Sequence, residues 1–208
     1  MDKKLSVLIP SLESRRALLS DLVCDLIKQC GIIKSIKSFT QEGCVILIIG
    51  FDNVEIIVAT DNKQITTGAK RNLLLSIASN DYCNQIDDDD WVYPYFVDEV
   101  LKAIQNDTDC IGTKGIITTN GGNEIEWRLS KDYQNETIRE GDKSVYLRTT
   151  NHISIVKTRL ALSAGFPDIC NGEDKEFSIR LNPYLKTEYT IGVPLYHYRF
   201  SSFNKEYK

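Results

Sequence analysis

Apolar residues come first in short, nearly unbroken runs and then at helical spacing, and the two patterns alternate along the chain. Leu5 to Ile9 is a short apolar run ended by Pro10-Ser11, which predicts a buried strand. From Ser14 to Gln29 the residues Leu18, Leu19, Leu22, Val23, Leu26 and Ile27 recur at helical spacing, and Gly31 offers a stop. Val45 to Ile49 and Glu55 to Ala59 predict two strands around a Phe51-Asp52-Asn53 turn. The first of these is either a hairpin partner or a crossover strand. Thr67 to Ala78 predicts a helix entered through Gly68, and Tyr82 to Ile86 a further strand. Pro94 to Gln105 predicts an amphipathic helix, with Phe96, Val97, Val100, Leu101 and Ile104 on one face and proline in the first turn.

The order strand, helix, strand, helix, strand, helix predicts an α/β fold with a mostly parallel central sheet and covering helices. Ligands in such folds sit beyond the carboxyl ends of the strands. Ser11, Asp61 and Asp87 all follow predicted strand ends, so one crevice is expected to collect them. The second half is less regular. Cys110 to Thr119 and Glu124 to Leu129 predict a hairpin across Gly121-Gly122-Asn123. Lys131 to Lys143 predicts a loop, Val145 to Arg148 a strand, and Ser154 to Ala164 a helix closed by Gly165. Lys175 to Leu181 predicts a helix opened by Glu173-Asp174, and Thr187 to Ile191 and Pro194 to Tyr198 two short strands. With no repeat, low-complexity tract or linker, 208 residues are expected to form a single domain.

Composition narrows the classes. A 42% hydrophobic content is enough for a core. The net charge of −4 argues against nucleic acid as a partner. No run of about 18 apolar residues predicts a transmembrane helix, and Met1-Asp2-Lys3-Lys4 lacks the features of a signal peptide. The six scattered cysteines contain no CxxC pair and read as free, mostly buried thiols, which with the missing leader predicts a cytoplasmic protein.

The chemistry concentrates in Ile86-Asp87-Asp88-Asp89-Asp90-Trp91. Adjacent carboxylates repel and need neutralising. A solvated acidic turn opening the helix at Pro94, where the helix dipole favours carboxylates, would account for one or two of them. A divalent cation with oxygen ligands, Mg²⁺ or Mn²⁺, would account for the run, and Mg²⁺ completes its shell with substrate phosphates. Lys70 and Arg71 open a helix where cations are unfavourable unless they meet anions, either a diphosphate or the aspartates themselves. Asp174 fits a helix N-cap by spacing and a general base by chemistry. Trp127 and Tyr133, in a polar region, are candidates for a wall of an acceptor site. Trp91 reads equally well as core. His152 precedes a helix, and His197 lies between two tyrosines that face the other way.

Taken in order, these residues resemble a family 2 glycosyltransferase of the GT-A (nucleotide-diphospho-sugar transferase) fold. The resemblance runs from Leu5-Ser6-Val7-Leu8-Ile9-Pro10-Ser11 to about Tyr198. It includes the second strand ending in Asp61, Gly68-Ala69-Lys70-Arg71-Asn72, the aspartate run and Gly172-Glu173-Asp174. Lys70-Arg71-Asn72, the four aspartates and Tyr196-His197-Tyr198 also resemble a small subgroup carried by phages and large viruses. The resemblance implies a nucleotide-sugar-binding half, residues 1–106, and an acceptor-binding half with a small mixed sheet, residues 107–208. It implies donor contacts from Pro10, Ser11, Asp61, Lys70, Arg71, Asp87 and Asp88. It places Mn²⁺ or Mg²⁺ on Asp89, with Asp87 and His197 as further ligands, and makes Asp174 the base with Glu173 beside it. His152 joins Trp127 and Tyr133 on the acceptor side. The reaction implied is metal-dependent, inverting transfer of one sugar, most simply from a UDP-sugar, to a hydroxyl of a glycan, lipid-linked or protein acceptor. Thr60-Asp61-Asn62-Lys63 departs from the family's D-D-G-S, so base recognition there differs.

Two other classes stay open. A metal-dependent nucleotidyltransferase also uses acidic residues on an α/β sheet, although no phosphate-cradling glycine-rich loop is visible. A non-catalytic sugar- or metal-binding module on the same scaffold is the third. Turnover of a sugar nucleotide separates them.

Overall fold

The computed structural model of the chain describes residues 2–200. The first half runs β1 (Leu5–Leu12), α1 (Arg16–Cys30), β2 (Ser35–Gln41), β3 (Cys44–Gly50), β4 (Val54–Asp61), α2 (Thr67–Ile77), β5 (Tyr82–Gln85), β6 (Trp91–Val92) and α3 (Phe96–Ile104). The second half runs β7 (Cys110–Thr119), β8 (Gly122–Leu129), β9 (Glu136–Glu140), β10 (Lys143–Arg148), β11 (Ile155–Lys157), α4 (Thr158–Ala164), α5 (Glu173–Leu181) and β12 (Glu188–Phe200). All strands join one sheet in the order β2-β3-β4-β1-β5-β11-β7-β8-β10-β9, with β12 beside β7 and β6 beside β12.

The centre, β4-β1-β5, is parallel. Both flanks turn antiparallel: β3 is the hairpin partner of β4, and β11 pairs with β5 and β7. The second-half strands make a mixed sheet, with β10 parallel to β8 and β12 parallel to β7, continuous with the centre through β11. β1 is apolar almost throughout because both its faces are covered. Leu5, Val7 and Ile9 pack with Leu22 and Leu26 of α1 and with Phe96, Val100 and Ile104 of α3. Leu8 packs on the other face with Leu73 and Leu74 of α2, Leu160 of α4 and Phe177 of α5. The result is three layers, helix on sheet on helix.

β1 continues past Pro10 to Leu12 rather than ending there. Its pairing with β5 stops at Leu8, opposite Gln85, so Pro10 stands beyond the strand that would have needed its N–H. Four further elements depart from the sequence expectation. β2 and β9 are exposed outer strands of polar composition, so no buried face marks them. The start of the segment expected to be helical from Ser154 is the strand β11, held between β5 and β7, and the helix begins at Thr158. The two short strands expected near the end are one, β12, with irregular register around Pro194. All six thiols are free; Cys44, Cys83 and Cys110 are buried, while Cys24 and Cys170 are exposed. No helix among the described residues is long and apolar enough to cross a membrane.

Candidate active site

The carboxyl ends of β1 and β5, the turn after β4 and the N-terminus of α5 open into one cavity of about 1680 Å³. Pockets for a single small ligand run about 300–1,000 Å³, so this one has room for two. Pro10, Ser11, Lys70, Arg71, Asp87 to Asp89, Trp127, His152, Glu173 and Asp174 all line it.

The four aspartates divide by what neutralises them. Asp88 is buried; Ser11 Oγ donates to its Oδ2 at 2.6 Å and Arg15 Nη1 to its Oδ1 at 2.6 Å. Burial is the main influence on its pKa and raises it. Asp90 is buried too, accepting from Tyr196 Oη at 2.7 Å and from the Arg199 N–H at 2.9 Å. Burial, then the charge of Asp87, pushes its carboxyl well up. Asp87 accepts from Arg71 Nη2 at 2.8 Å. Burial opposes its charge, but Arg71 and His152 outweigh that and hold it well below the ordinary carboxylate range. Asp89 is different: its side chain is 22% exposed, and only Arg15 Nη1, at 3.4 Å, pairs with it. Asp87, Asp88 and Asp90 are thus each held by close hydrogen bonds, and Asp89, on the cavity, by one looser ion pair.

The basic pair at the start of α2 lines the cavity but is bound to carboxylates of the protein. Thr66 caps the helix by accepting from the Ala69 N–H at 3.0 Å. Lys70, wholly buried, ion-pairs with Asp61 and donates to the Ser11 carbonyl at 2.7 Å. Asp61 also accepts from the N–H groups of Gln64 and Ile65 at 3.0 and 3.1 Å. It is sealed under the turn and does not line the cavity. The expected donor contact from Asp61 is thus replaced by a structural one: its charge holds the loop Asn62–Thr66 and fixes Lys70. Arg71 is the hub. Besides Asp87 it reaches Gln85 Oε1 at 3.0 Å and Glu173 Oε1 at 3.3 Å.

Glu173 is buried and tied to Arg71, whereas Asp174 is 46% exposed into the cavity. Asp174 is not the N-cap of α5; Gly172 holds that position and no side chain caps the helix. His152 stands between the two acidic groups, Nε2 at 3.4 Å from Asp87 Oδ2 and Nδ1 at 4.0 Å from Asp174 Oδ2.

Two expected site residues are elsewhere. His197 is withdrawn as a metal ligand: it does not line the cavity, its Nε2 lies 2.9 Å from Thr118 Oγ1, and its ring meets Trp91 edge-on. β-strand alternation sends Tyr196 and Tyr198 to the aspartates and His197 to the opposite face. Tyr133 also lies off the cavity, in the turn whose N–H donates to the Ser130 carbonyl at 3.2 Å. Trp91 is not core; it is 50% exposed with Arg199 over its ring at 4.4 Å. Trp127 does line the cavity, lying across Gly115, where any Cβ would collide with the indole. Arg15, Tyr196 and Arg199 were missed as neutralisers of the aspartates, and no local signal marks them.

Among the described residues no group of three or more His, Cys, Asp or Glu side chains is arranged to hold a metal. The donor set fits Mg²⁺ or Mn²⁺, because Asp89, on the cavity, is held only by a 3.4 Å ion pair to Arg15 and Mg²⁺ takes only one or two carboxylates from protein.

Comparison with known proteins places this arrangement. The sequence model of Glycosyl transferase family 2 matches residues 6–162, from β1 through α4. The chain belongs to glycosyltransferase family 2. EpsH of Bacillus subtilis (strain 168), a protein provisionally named a glycosyltransferase, is 25% identical over 157 residues, 71% of this chain and 45% of that one. The structure of S. aureus TarS 1–349 superposes with a TM-score of 0.62 at 17% identity, over 94% of this chain and 60% of that one. TarS 1–349 in complex with UDP-GlcNAc gives a TM-score of 0.61 at 16% identity, over 94% of this chain and 58% of that one. The fold is the family's GT-A fold, and the chain spans about half to three fifths of the length of these relatives.

Proposed function

We propose that this family member transfers a sugar from a nucleoside-diphosphate sugar, a UDP-sugar in the simplest case, to an acceptor hydroxyl with inversion. The observation that carries the reading is that Asp89, held only loosely by Arg15 at 3.4 Å, and Asp174, 46% exposed, line one cavity in which Asp87, Asp88 and Glu173 are each tied to an arginine. TarS, of the same fold, has been solved with UDP-GlcNAc, which supports a nucleotide-sugar donor.

The donor lies against residues 1–106, over Pro10 and the Asn62–Thr66 turn, and the acceptor against residues 107–208. Asp89 would hold Mg²⁺ or Mn²⁺, which as a Lewis acid would stabilise the departing nucleoside diphosphate. Arg71 keeps Asp87 ionised and in place beside it. The acceptor oxygen forms a bond to the anomeric carbon as the bond to the diphosphate oxygen breaks. Asp174 takes the acceptor's proton, and its exposure into the cavity leaves it free to do so. Glu173 orients the start of α5 through Arg71.

The test is calorimetric titration of UDP with and without Mn²⁺, followed by turnover of UDP-sugars. Binding that requires the metal, followed by UDP release, is expected. Absence of UDP, GDP and CTP binding under every condition overturns the reading.

A further inference from the structure

The part of the cavity wall built by β8 and β10 carries an arginine that the fold holds in place without giving it a carboxylate partner among the described residues. On the paired strands β8 and β10, Trp127 stands opposite Tyr146 and Leu129 opposite Arg148, and all four line the cavity. Arg148 Nη1 donates to the carbonyls of Glu136 and Leu147 at 2.9 and 2.8 Å, and its guanidinium lies over the Tyr146 ring at 4.7 Å. The group is held on one edge and one face. Yet no carboxylate of the described residues comes within ion-pair distance, whereas Arg15, Lys70 and Arg71 on the same cavity each have one. A planar fork fixed in this way matches a phosphate or carboxylate by two parallel hydrogen bonds.

A second observation points the same way. Trp127 is only 6% exposed, and its Nε1–H has no hydrogen-bond partner among the described residues. Thr149 Oγ1, next along the chain from Arg148 and also on the cavity, is likewise buried and unpartnered. Buried polar groups are normally satisfied, so these two orphans just under the cavity wall are groups that a hydroxyl-rich ligand would satisfy once the side chains shift to meet it.

We infer that β8 and β10 form a subsite for a negatively charged sugar of the acceptor, its phosphate or carboxylate on Arg148 and its ring beside Trp127 and Tyr146. Only the word acceptor rests on the transferase reading; the anionic-sugar site stands on its own geometry.

The experiment is a titration of glucose 6-phosphate, glucuronate and glucose into the chain saturated with UDP and Mg²⁺, so that the donor site is filled. The charged sugars are expected to bind about tenfold or more tighter than glucose, as a charge-assisted pair implies. The preference is expected to vanish in Arg148→Gln, to survive in part in Arg148→Lys, and to be untouched in Lys143→Gln, an exposed charge of the same strand outside the cavity. Whichever charged sugar binds tighter identifies the anion. UDP affinity, unchanged in Arg148→Gln, reports that the variant is folded. Equal binding of glucose and the charged sugars, or a preference that persists in Arg148→Gln, overturns the proposal. So does inorganic phosphate binding as tightly as glucose 6-phosphate, which would mean an anion site with no sugar. If UDP itself fails to bind, the same titrations on the free chain still decide the subsite, and only the transferase reading falls.

Discussion

Arg71 Nη2 donates to Asp87 Oδ1 at 2.8 Å, so the first aspartate of the acidic run is anchored from the helix before it rather than by a ligand. The same guanidinium holds Glu173 of α5 at 3.3 Å, which makes one buried cation the joint between the aspartate run and α5. Removing one partner of a buried charge group costs about 3–5 kcal/mol because the remaining charges lose their counterion. Arg71→Met is expected to lower the melting temperature by about 6–20 °C for a chain of this size. Adding Asp87→Asn and Glu173→Gln to it should recover part of that loss. A single variant that melts within about 2 °C of the native chain, roughly what half to one kcal/mol produces at this size, would mean that the cluster is solvated and Arg71 is no hub.

Gly68 makes a second joint. Its N–H donates to the Ile169 carbonyl at 3.0 Å, and a Cβ there would run into the Pro167 carbonyl. The obstruction is backbone, so Gly68→Ala must push α2 away from the loop that leads to Glu173 and Asp174. An overpacking cost of about 1–3 kcal/mol is expected in chemical denaturation. The variant should also lose transfer more than it loses UDP affinity, since the shift falls on the base side. Unchanged stability would show that the loop yields freely.

These joints explain what the sequence could and could not disclose. The parallel centre was legible because Leu5–Ile9 and Glu55–Ala59 are buried on both faces and carry near-continuous apolar runs. β2 and β9 were not, because an exposed outer strand has no hydrophobic face to write into its residues. The aspartate run was legible as chemistry, but not which carboxylate is held most loosely. That depends on Ser11 and Arg15, and on Tyr196 and Arg199, more than 70 and 100 residues away respectively. Asp174 looked like a cap because spacing alone cannot tell the N-cap from the first turn, where Gly172 in fact begins the helix.

Stability should respond to acid through Asp109, far from the cavity. Its Oδ2 accepts from the N–H groups of Lys186 and Thr187 at 2.9 and 3.1 Å, joining the starts of β7 and β12. Burial works against its charge, but those N–H groups and Lys157 outweigh it and lower its pKa. A depressed carboxylate binds fewer protons folded than unfolded near its unfolded pKa of about 3.9, so its contribution is full above that value. It is lost as pH falls through the folded value. Asp109→Asn is expected to cost about 1 kcal/mol at neutral pH, a figure kept small by solvent screening. The gap between native and variant melting temperatures should close as pH falls from about 5 toward 3, the window in which the linkage acts. A gap that stays constant down to acid would assign the effect to shape rather than charge.

The division of labour between Asp89 and Asp174 makes the sharpest demand on the proposed reaction. Asp89 is the aspartate the protein holds most loosely, by Arg15 at 3.4 Å, so its role should be in binding metal with donor. Asp174 is not the N-cap and, among the described residues, pairs only with His152 at 4.0 Å, so its role should be in the transfer step. Asp89→Ala is expected to weaken Mn²⁺-dependent UDP binding by about 100-fold or more, since even outer-shell partners of a metal are worth about 10–100-fold. Asp174→Asn is expected to bind UDP as the native chain does while losing about a hundred- to ten-thousandfold in turnover, the usual loss for a general base. Calorimetry on both variants, with turnover measured at saturating donor, separates the two effects. Native turnover in Asp174→Asn would leave the acceptor proton to His152 or to water, and metal-dependent UDP binding preserved in Asp89→Ala would move the metal to Asp87.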